Sequence, residues 1–131
     1  MNNRVLIIDD DEEMCMELKE ILTDEGYQVR VALDGRSGKE LIEKEQYGAV
    51  ILDLKLPGLN GYEVLKIVKS KAVSPRIIVL SGRPLGENAL SVQGDPQMQE
   101  EQILKLADAV MNKPVHVPVL IDKVKEYIEN K

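Results

Sequence analysis

The stretch that decides the fold is residues 5–11, VLIIDDD, in which four apolar residues run directly into three aspartates. A short, continuous apolar run of this kind is typical of a strand buried on both faces of a parallel sheet. Similar runs follow at residues 49–52, 77–80 and, more weakly, 109–111. A fifth run, residues 27–33, alternates apolar with polar or small residues, which predicts an edge strand.

Between these runs the apolar residues recur with helical spacing. Met14, Leu18, Ile21 and Leu22 lie on one face of a helix. Further helices are predicted over about residues 36–45, 64–68, 103–107 and 118–128. Strands that alternate with helices predict an α/β domain over residues 1–131, a doubly wound parallel sheet of five strands described as (βα)₅. Residues 82–97 contain three glycines and two prolines with little periodicity, which predicts a long loop before the fourth helix.

Composition excludes several functional classes. The 131 residues include a single cysteine, Cys15, so neither an internal disulfide nor a cysteine-based zinc site is expected. A net charge of −6 and the absence of Phe and Trp argue against direct binding of nucleic acid. No apolar run is long enough for a membrane span, and there is no signal-peptide pattern. These features predict a cytoplasmic protein.

Polar side chains follow four of the five strands. Asp9 and Asp10 follow the first strand, Asp53 ends the third, Ser81 ends the fourth, and Lys113 follows the fifth. Ligands of open parallel sheets bind beyond the carboxyl ends of the strands. Crowded carboxylates repel one another unless a cation intervenes, and Mg²⁺ is commonly held by carboxylates and phosphate oxygens. The pattern predicts a Mg²⁺ site with room for a phosphoryl group, where a carboxylate such as Asp53 acts as nucleophile.

Each of these features has an ordinary structural interpretation when it is taken alone. The three aspartates are typical of a helix cap, which is the role expected for Asp11. Asp53 is compatible with a turn, and Ser81-Gly82 with the start of a loop. The peptide bond between Lys113 and Pro114 is of the X–Pro type, in which cis peptide bonds occur. It is the combination at four strand ends that favours a phosphoryl site.

These motifs resemble the receiver domain of two-component response regulators, the CheY-like family. The resemblance rests on residues 5–11, on DLKLPGLNG at residues 53–61, on Ser81-Gly82 and on Lys113-Pro114. It implies a flavodoxin-like fold with strand order 2-1-3-4-5. It also implies that Asp53 accepts a phosphoryl group from the phosphohistidine of a sensor histidine kinase or a histidine phosphotransfer protein.

The resemblance assigns the remaining roles residue by residue. Asp9, Asp10, Asp53 and the backbone carbonyl of Lys55 would hold Mg²⁺. Ser81 and Lys113 would bind the phosphoryl oxygens. Gly82, Lys55 and Arg83 would lie near the phosphoryl group, and the two cations are expected to tune its lifetime.

The sequence departs from the family pattern at two places. Val110 stands three residues before Lys113, where many receivers carry the aromatic residue that reports phosphorylation. The interval between Ser81 and Lys113 is also about ten residues longer than the family resemblance implies. We therefore expect signalling through the 82–97 segment and the face formed by the fourth helix, fifth strand and last helix. A phosphorylation-linked homodimer and an unidentified downstream protein are further expectations.

Three functions from different classes remain open at this point. The first is a phosphorylation-activated switch that is not an enzyme beyond its own phosphorylation and slow dephosphorylation. The second is a receiver-like scaffold that binds partners without being phosphorylated. The third is a small Mg²⁺-dependent phosphohydrolase with Asp53 as nucleophile. Such hydrolases usually need a second aspartate two residues later, where this chain has Lys55. The sequence leaves open whether the chain stands alone or is part of a longer regulator.

Overall fold

The computed structural model describes residues 2–56, 61–82 and 105–129. Within these ranges the chain alternates strands and helices. The elements are β1 (Arg4–Ile8), α1 (Glu12–Asp24), β2 (Gln28–Ala32), α2 (Gly35–Lys44), β3 (Ala49–Asp53), α3 (Gly61–Lys69), β4 (Arg76–Ser81), β5 (Ala109–Asn112) and α4 (Val117–Glu129).

The five strands form one parallel sheet in the order β2-β1-β3-β4-β5. The predicted fold and strand order are therefore confirmed, including the edge position of β2. The register pairs Val5 with Ala49 across β1 and β3, and Ile51 with Ile78 across β3 and β4. Because the strands are parallel and in this register, their carboxyl ends meet at one rim of the sheet.

Alternate residues of each central strand pack into two separate apolar layers, because successive side chains of a strand point to opposite faces of the sheet. Val5 and Ile7 of β1 pack with α1 and α4 on one face. Leu6 and Ile8 pack with α2 and α3 on the other face. All four residues are fully buried, which explains the continuous apolar run in the sequence.

The ends of α1 follow from local side-chain chemistry. The Asp11 carboxylate accepts a hydrogen bond from the Met14 backbone N–H at 3.1 Å, so Asp11 is the N-cap that the sequence predicts. After the helix, Gly26 adopts a φ of 99°, a left-handed conformation in which glycine pays no steric penalty. The chain can therefore turn sharply from α1 into β2.

Some predictions fall wholly or partly outside the described residues. These are the middle of the 53–61 motif (residues 57–60), Arg83 and the rest of the 82–97 loop, and the first part of the helix predicted near residues 103–107. In the helix predicted near residues 103–107, residues 105 and 106 are helical. Ala107 follows them and packs against the apolar layer formed with α2 and α3. None of the described helices is long and apolar enough to cross a membrane.

Candidate functional site

Four strand ends bring the predicted side chains together at one rim. Asp53 is the last residue of β3 and pairs in register with Leu80 of β4, directly before Ser81. Ser81 pairs in turn with Asn112 of β5, directly before Lys113. The Lys113 backbone N–H donates to the Ser81 carbonyl oxygen at 2.7 Å, which extends the pairing by one residue. The sheet itself therefore sets the spacing of the site.

Three carboxylates form a cluster suited to a cation. One oxygen from each of Asp9, Asp10 and Asp53 lies within 4.8 Å of the others. Asp9 is fully buried and Asp53 is buried, whereas Asp10 is exposed. Asp9 Oδ1 accepts a hydrogen bond from the Asp11 N–H at 2.9 Å. Among the described residues, Asp9 Oδ2 receives no hydrogen bond of acceptable geometry. An all-oxygen set of two buried carboxylates and one exposed carboxylate fits Mg²⁺.

Lys113 lies against the same carboxylates. Its Nζ is 2.9 Å from Asp9 Oδ2 and 3.2 Å from Asp53 Oδ2. Burial raises the pKa of the Asp9 carboxyl, in spite of the opposing contacts with the Asp11 N–H and Lys113. Burial pulls the pKa of the Lys113 ammonium down, but its contacts with Asp9 and Asp53 outweigh burial and raise that pKa. The peptide bond from Lys113 to Pro114 is cis. Lys113 is thus a cation held between the two buried aspartates.

An open pocket of about 450 Å³ lies in front of Asp53. Its lining consists of Asp10, Asp53, Lys55, Leu56, Gly82 and Lys113. The Lys55 backbone N–H donates to Asp53 Oδ1 at 3.0 Å, which orients the carboxylate. Gly61, the first residue of α3, approaches so closely that a Cβ there would lie 2.6 Å from the Asp53 carbonyl oxygen. The backbone of Asp53 and Leu54 therefore lies tightly against the first residue of α3.

The structure brings most of the predicted site residues together. Asp9, Asp10, Asp53 and Lys113 share the carboxylate cluster, and Ser81 is buried beside it at the end of β4. Lys55 and Gly82 line the pocket. Arg83 lies outside the described residues.

Val110 occupies the position at which many receivers carry an aromatic switch residue. It lies in β5 opposite Val79 and packs against the α2–α3 layer. The side chain is aliphatic and partly buried, so it fills part of the core. Because valine has no aromatic ring, a ring rotation cannot report phosphorylation at this position.

Sequence analysis missed two residues that support the site. The buried Cys15 thiol donates to the Asp9 backbone oxygen at 3.4 Å, which ties α1 to the end of β1. Burial raises the pKa of this thiol to about 12, so it stays protonated and unreactive. Leu56 lines the pocket beside Asp53. Neither residue carries a sequence signal, because each acts through its position in the fold.

Comparisons with known proteins agree with this geometry. The sequence model described as the response regulator receiver domain matches residues 5–125. Sporulation initiation phosphotransferase F of Bacillus subtilis is 30% identical over 128 residues, which cover 98% of this chain and 95% of that protein. Response regulator RR06 of Streptococcus pneumoniae is 32% identical over 124 residues, 94% of this chain but 52% of that protein. The chain thus spans about half the length of some curated relatives.

Solved structures give the same assignment. A CheY-like receiver domain from Methanospirillum hungatei superposes with a TM-score of 0.78 at 30% identity, over 98% of this chain and 95% of the other. The response regulator TrrA from Thermotoga maritima, solved in complex with Mg²⁺ and BeF, gives 0.73 at 28% identity, over 95% of this chain and 98% of that one. This chain, with its acidic cluster and partly buried lysine at the carboxyl ends of a 2-1-3-4-5 sheet, belongs to the response regulator receiver domain family.

Proposed function

We propose that this chain is a phosphorylation-activated switch of a two-component phosphorelay, with Asp53 as the phosphoacceptor. The observation that carries the proposal is the position of the Asp53 carboxylate. It opens onto the pocket, is oriented by the Lys55 N–H, and lies 3.2 Å from the Lys113 ammonium. Receiver domains are signalling switches rather than conventional enzymes, and the lack of a second aspartate at position 55 agrees with that role.

The protein's own part in the proposed reaction is performed by groups at this rim. An Asp53 carboxylate oxygen attacks the phosphorus of a phosphohistidine on a sensor kinase or a histidine phosphotransfer protein. A P–O bond forms as the P–N bond breaks, and the imidazole leaves. Lys113 is placed to neutralise charge on the transferred oxygens, and Ser81 to donate its hydroxyl to them.

Asp9, Asp10, Asp53 and the backbone carbonyl of Lys55 are the residues proposed to hold Mg²⁺. The ion would supply positive charge to phosphoryl oxygens that the carboxylates would otherwise repel. The fit of the donor set supports this assignment, as does the relation to TrrA, whose structure contains Mg²⁺ and BeF. Lys55 and Arg83, with Gly82 beside them, are proposed to tune how long the phosphoryl group survives.

A second candidate role is that of a phosphoryl carrier between two proteins. It is favoured by the Bacillus relative, whose name describes a phosphotransferase and whose length this chain spans almost completely. In either role the protein would work in the cytoplasm. Its output would be an altered affinity for a downstream protein or for a second copy of itself.

The switch proposal predicts a change in the output face when a phosphoryl mimic binds. Because Val110 cannot rotate as an aromatic would, we expect Mg²⁺ with beryllofluoride to shift NMR amide signals at Ser81 and Gly82, along β5 and through residues 83–97. The control is Asp53→Asn, which should show none of these shifts. Shifts confined to the pocket, with β5 and residues 83–97 unchanged, would contradict the proposed output face.

A further inference from the structure

The edge strand β5 is short, and its own sequence does little to fix its alignment in the sheet. It is four residues long and, within the described residues, pairs with β4 alone. Its first three residues, Ala109, Val110 and Met111, are all apolar and partly buried. Sequence specifies a register when polar and apolar residues alternate, because a slip of one residue then exposes the apolar set. The apolar run of β5 has no such alternation, so its register needs another determinant.

Asp108, the residue directly before β5, makes two hydrogen bonds to a single residue of β4. Its backbone N–H donates to the Ile77 carbonyl oxygen at 2.9 Å, and its carboxylate oxygen Oδ2 accepts from the Ile77 N–H at 2.7 Å. The side chain thus replaces the backbone carbonyl through which a longer β5 would pair with Ile77. We call these two bonds the Asp108 bridge. Because the bridge uses both backbone polar groups of one residue, it fits a single alignment of the two strands.

Contacts from both faces of the sheet hold Asp108 in place. Lys69 of α3 lies 3.4 Å from its Oδ2, and Arg76 of β4 lies 3.3 Å from its Oδ1. On the opposite face, the Tyr127 hydroxyl of α4 donates to the Asp108 carbonyl oxygen at 2.9 Å. The Arg76 guanidinium also lies over the Tyr127 ring, 5.4 Å from its centroid. Asp108 is therefore fixed relative to the helices on both sides of β5.

The alignment of β5 decides where Lys113 lies. Lys113 comes directly after β5, five residues beyond Asp108, and its N–H donates to the Ser81 carbonyl oxygen at 2.7 Å. Five strand residues span roughly 16 Å, so Asp108 acts on the phosphoryl site only through the strand. A slip of one residue would move Lys113 by about 3.3 Å and turn its side chain to the other face. The contacts of its Nζ with Asp9 at 2.9 Å and Asp53 at 3.2 Å would then be lost.

We propose that Asp108 is a remote positioning residue of the phosphoryl site, which fixes the register of β5 on β4 and thereby places Lys113 between Asp9 and Asp53. The effect on phosphorylation rests on the proposed function, whereas the effect on register does not. The geometry of the side chain carries this role more than its charge does, because the Ile77 N–H needs an acceptor oxygen rather than an anion.

The test compares Asp108→Asn with Asp108→Ala. Asparagine keeps an oxygen for the Ile77 N–H and loses the charge, whereas alanine removes both. Glu45→Ala is the matched control, because Glu45 is a partly buried acid that pairs with arginines of β1 and β2, toward the opposite edge of the sheet. If Asp108→Ala does not fold, Asp108→Glu takes its place, since the longer side chain keeps the charge but displaces the oxygen.

Cross-strand NOEs and exchange of the Lys113 amide report the register, and both are measured in EDTA. In Asp108→Ala we expect altered β4–β5 NOEs and a Lys113 amide that exchanges at least about tenfold faster than in Glu45→Ala. Phosphorylation by acetyl phosphate should slow by about tenfold or more, as for a catalytic group that has been moved. Mg²⁺ should bind more tightly, because the ammonium has left the carboxylates. Asp108→Asn should stay within about twofold of the parent protein in each measurement.

A double variant separates positioning from general destabilisation. In a Lys113→Ala background, Asp108→Ala should change the phosphorylation rate by less than about twofold, because the group that it positions is already gone. A full further loss in that background would overturn the inference. So would an equal loss in Glu45→Ala, or an asparagine variant as slow as the alanine variant.

The register measurements also separate this inference from the proposed function. Altered NOEs and faster Lys113 amide exchange in Asp108→Ala, in a protein that acetyl phosphate never labels, would support the register role and reject the phosphoacceptor role. Labelling of the parent protein, with NOEs and Lys113 amide exchange unchanged in Asp108→Ala, would do the reverse.

Discussion

Replacing Lys113 by alanine is expected to slow phosphorylation of Asp53 by about 10²-fold, the usual cost of removing one preorganised charge-stabilising group. The same change should raise the affinity for Mg²⁺ by about tenfold. The reason is that Lys113 Nζ lies 2.9 Å from Asp9 Oδ2 and 3.2 Å from Asp53 Oδ2. The ammonium would therefore compete with a Mg²⁺ ion for the carboxylates that are proposed to hold it.

Phosphorylation is followed with acetyl phosphate at saturating Mg²⁺, and Mg²⁺ affinity by calorimetry. Lys66→Ala serves as the control, because it removes one exposed positive charge from α3 without touching the site. A Lys113→Ala protein that binds Mg²⁺ more weakly than the parent would show that the lysine organises the carboxylates instead of competing for them.

Asp9→Asn is expected to make the metal-free protein more stable at neutral pH. If Asp9 is the ligand that we propose, the same change should weaken Mg²⁺ binding by about tenfold or more. Burial raises the pKa of Asp9, so the folded protein binds the proton more tightly than the unfolded chain does. The ionised carboxylate therefore opposes folding above the raised pKa. That cost disappears as the pH falls below the ordinary value of about 3.9.

The measurement is thermal unfolding in the presence of EDTA across a range of pH. The melting temperature of Asp9→Asn should exceed that of the parent at pH near 7, and the gap should narrow as the pH is lowered. Asp11→Asn is the matched control, because Asp11 is exposed and asparagine caps a helix about as well as aspartate does. An Asp9→Asn protein that melts at or below the parent temperature at neutral pH would contradict this account.

The fold was predictable because each central strand corresponds to a continuous apolar run in the sequence that is followed by a polar residue. Parallel strands place those ends at one rim, so the proximity of Asp9, Asp53, Ser81 and Lys113 follows from topology alone. The strand order could not be worked out from the runs. It came from the resemblance to receiver domains and is confirmed by the sheet.

The environments of the individual site residues could not be predicted. Asp9 and Asp10 are neighbours in sequence, yet Asp9 is fully buried and Asp10 is exposed. The Asp9 N–H still donates to the Ala32 carbonyl oxygen at the end of β2, whereas Asp10 lies in the loop beyond the sheet. The approach of Gly61 to the backbone after Asp53 also depends on how α3 packs. Such details come from three-dimensional packing, for which one sequence carries no direct signal.

The most direct test of the central claim is the intact mass of the protein after incubation with acetyl phosphate and Mg²⁺, beside Asp53→Asn. The account predicts an adduct of one phosphoryl group on the parent alone, absent when EDTA is added. A folded, Mg²⁺-binding parent that takes up no phosphoryl group would contradict the account and favour a binding scaffold. Rapid release of phosphate with no adduct would contradict it in favour of a phosphohydrolase.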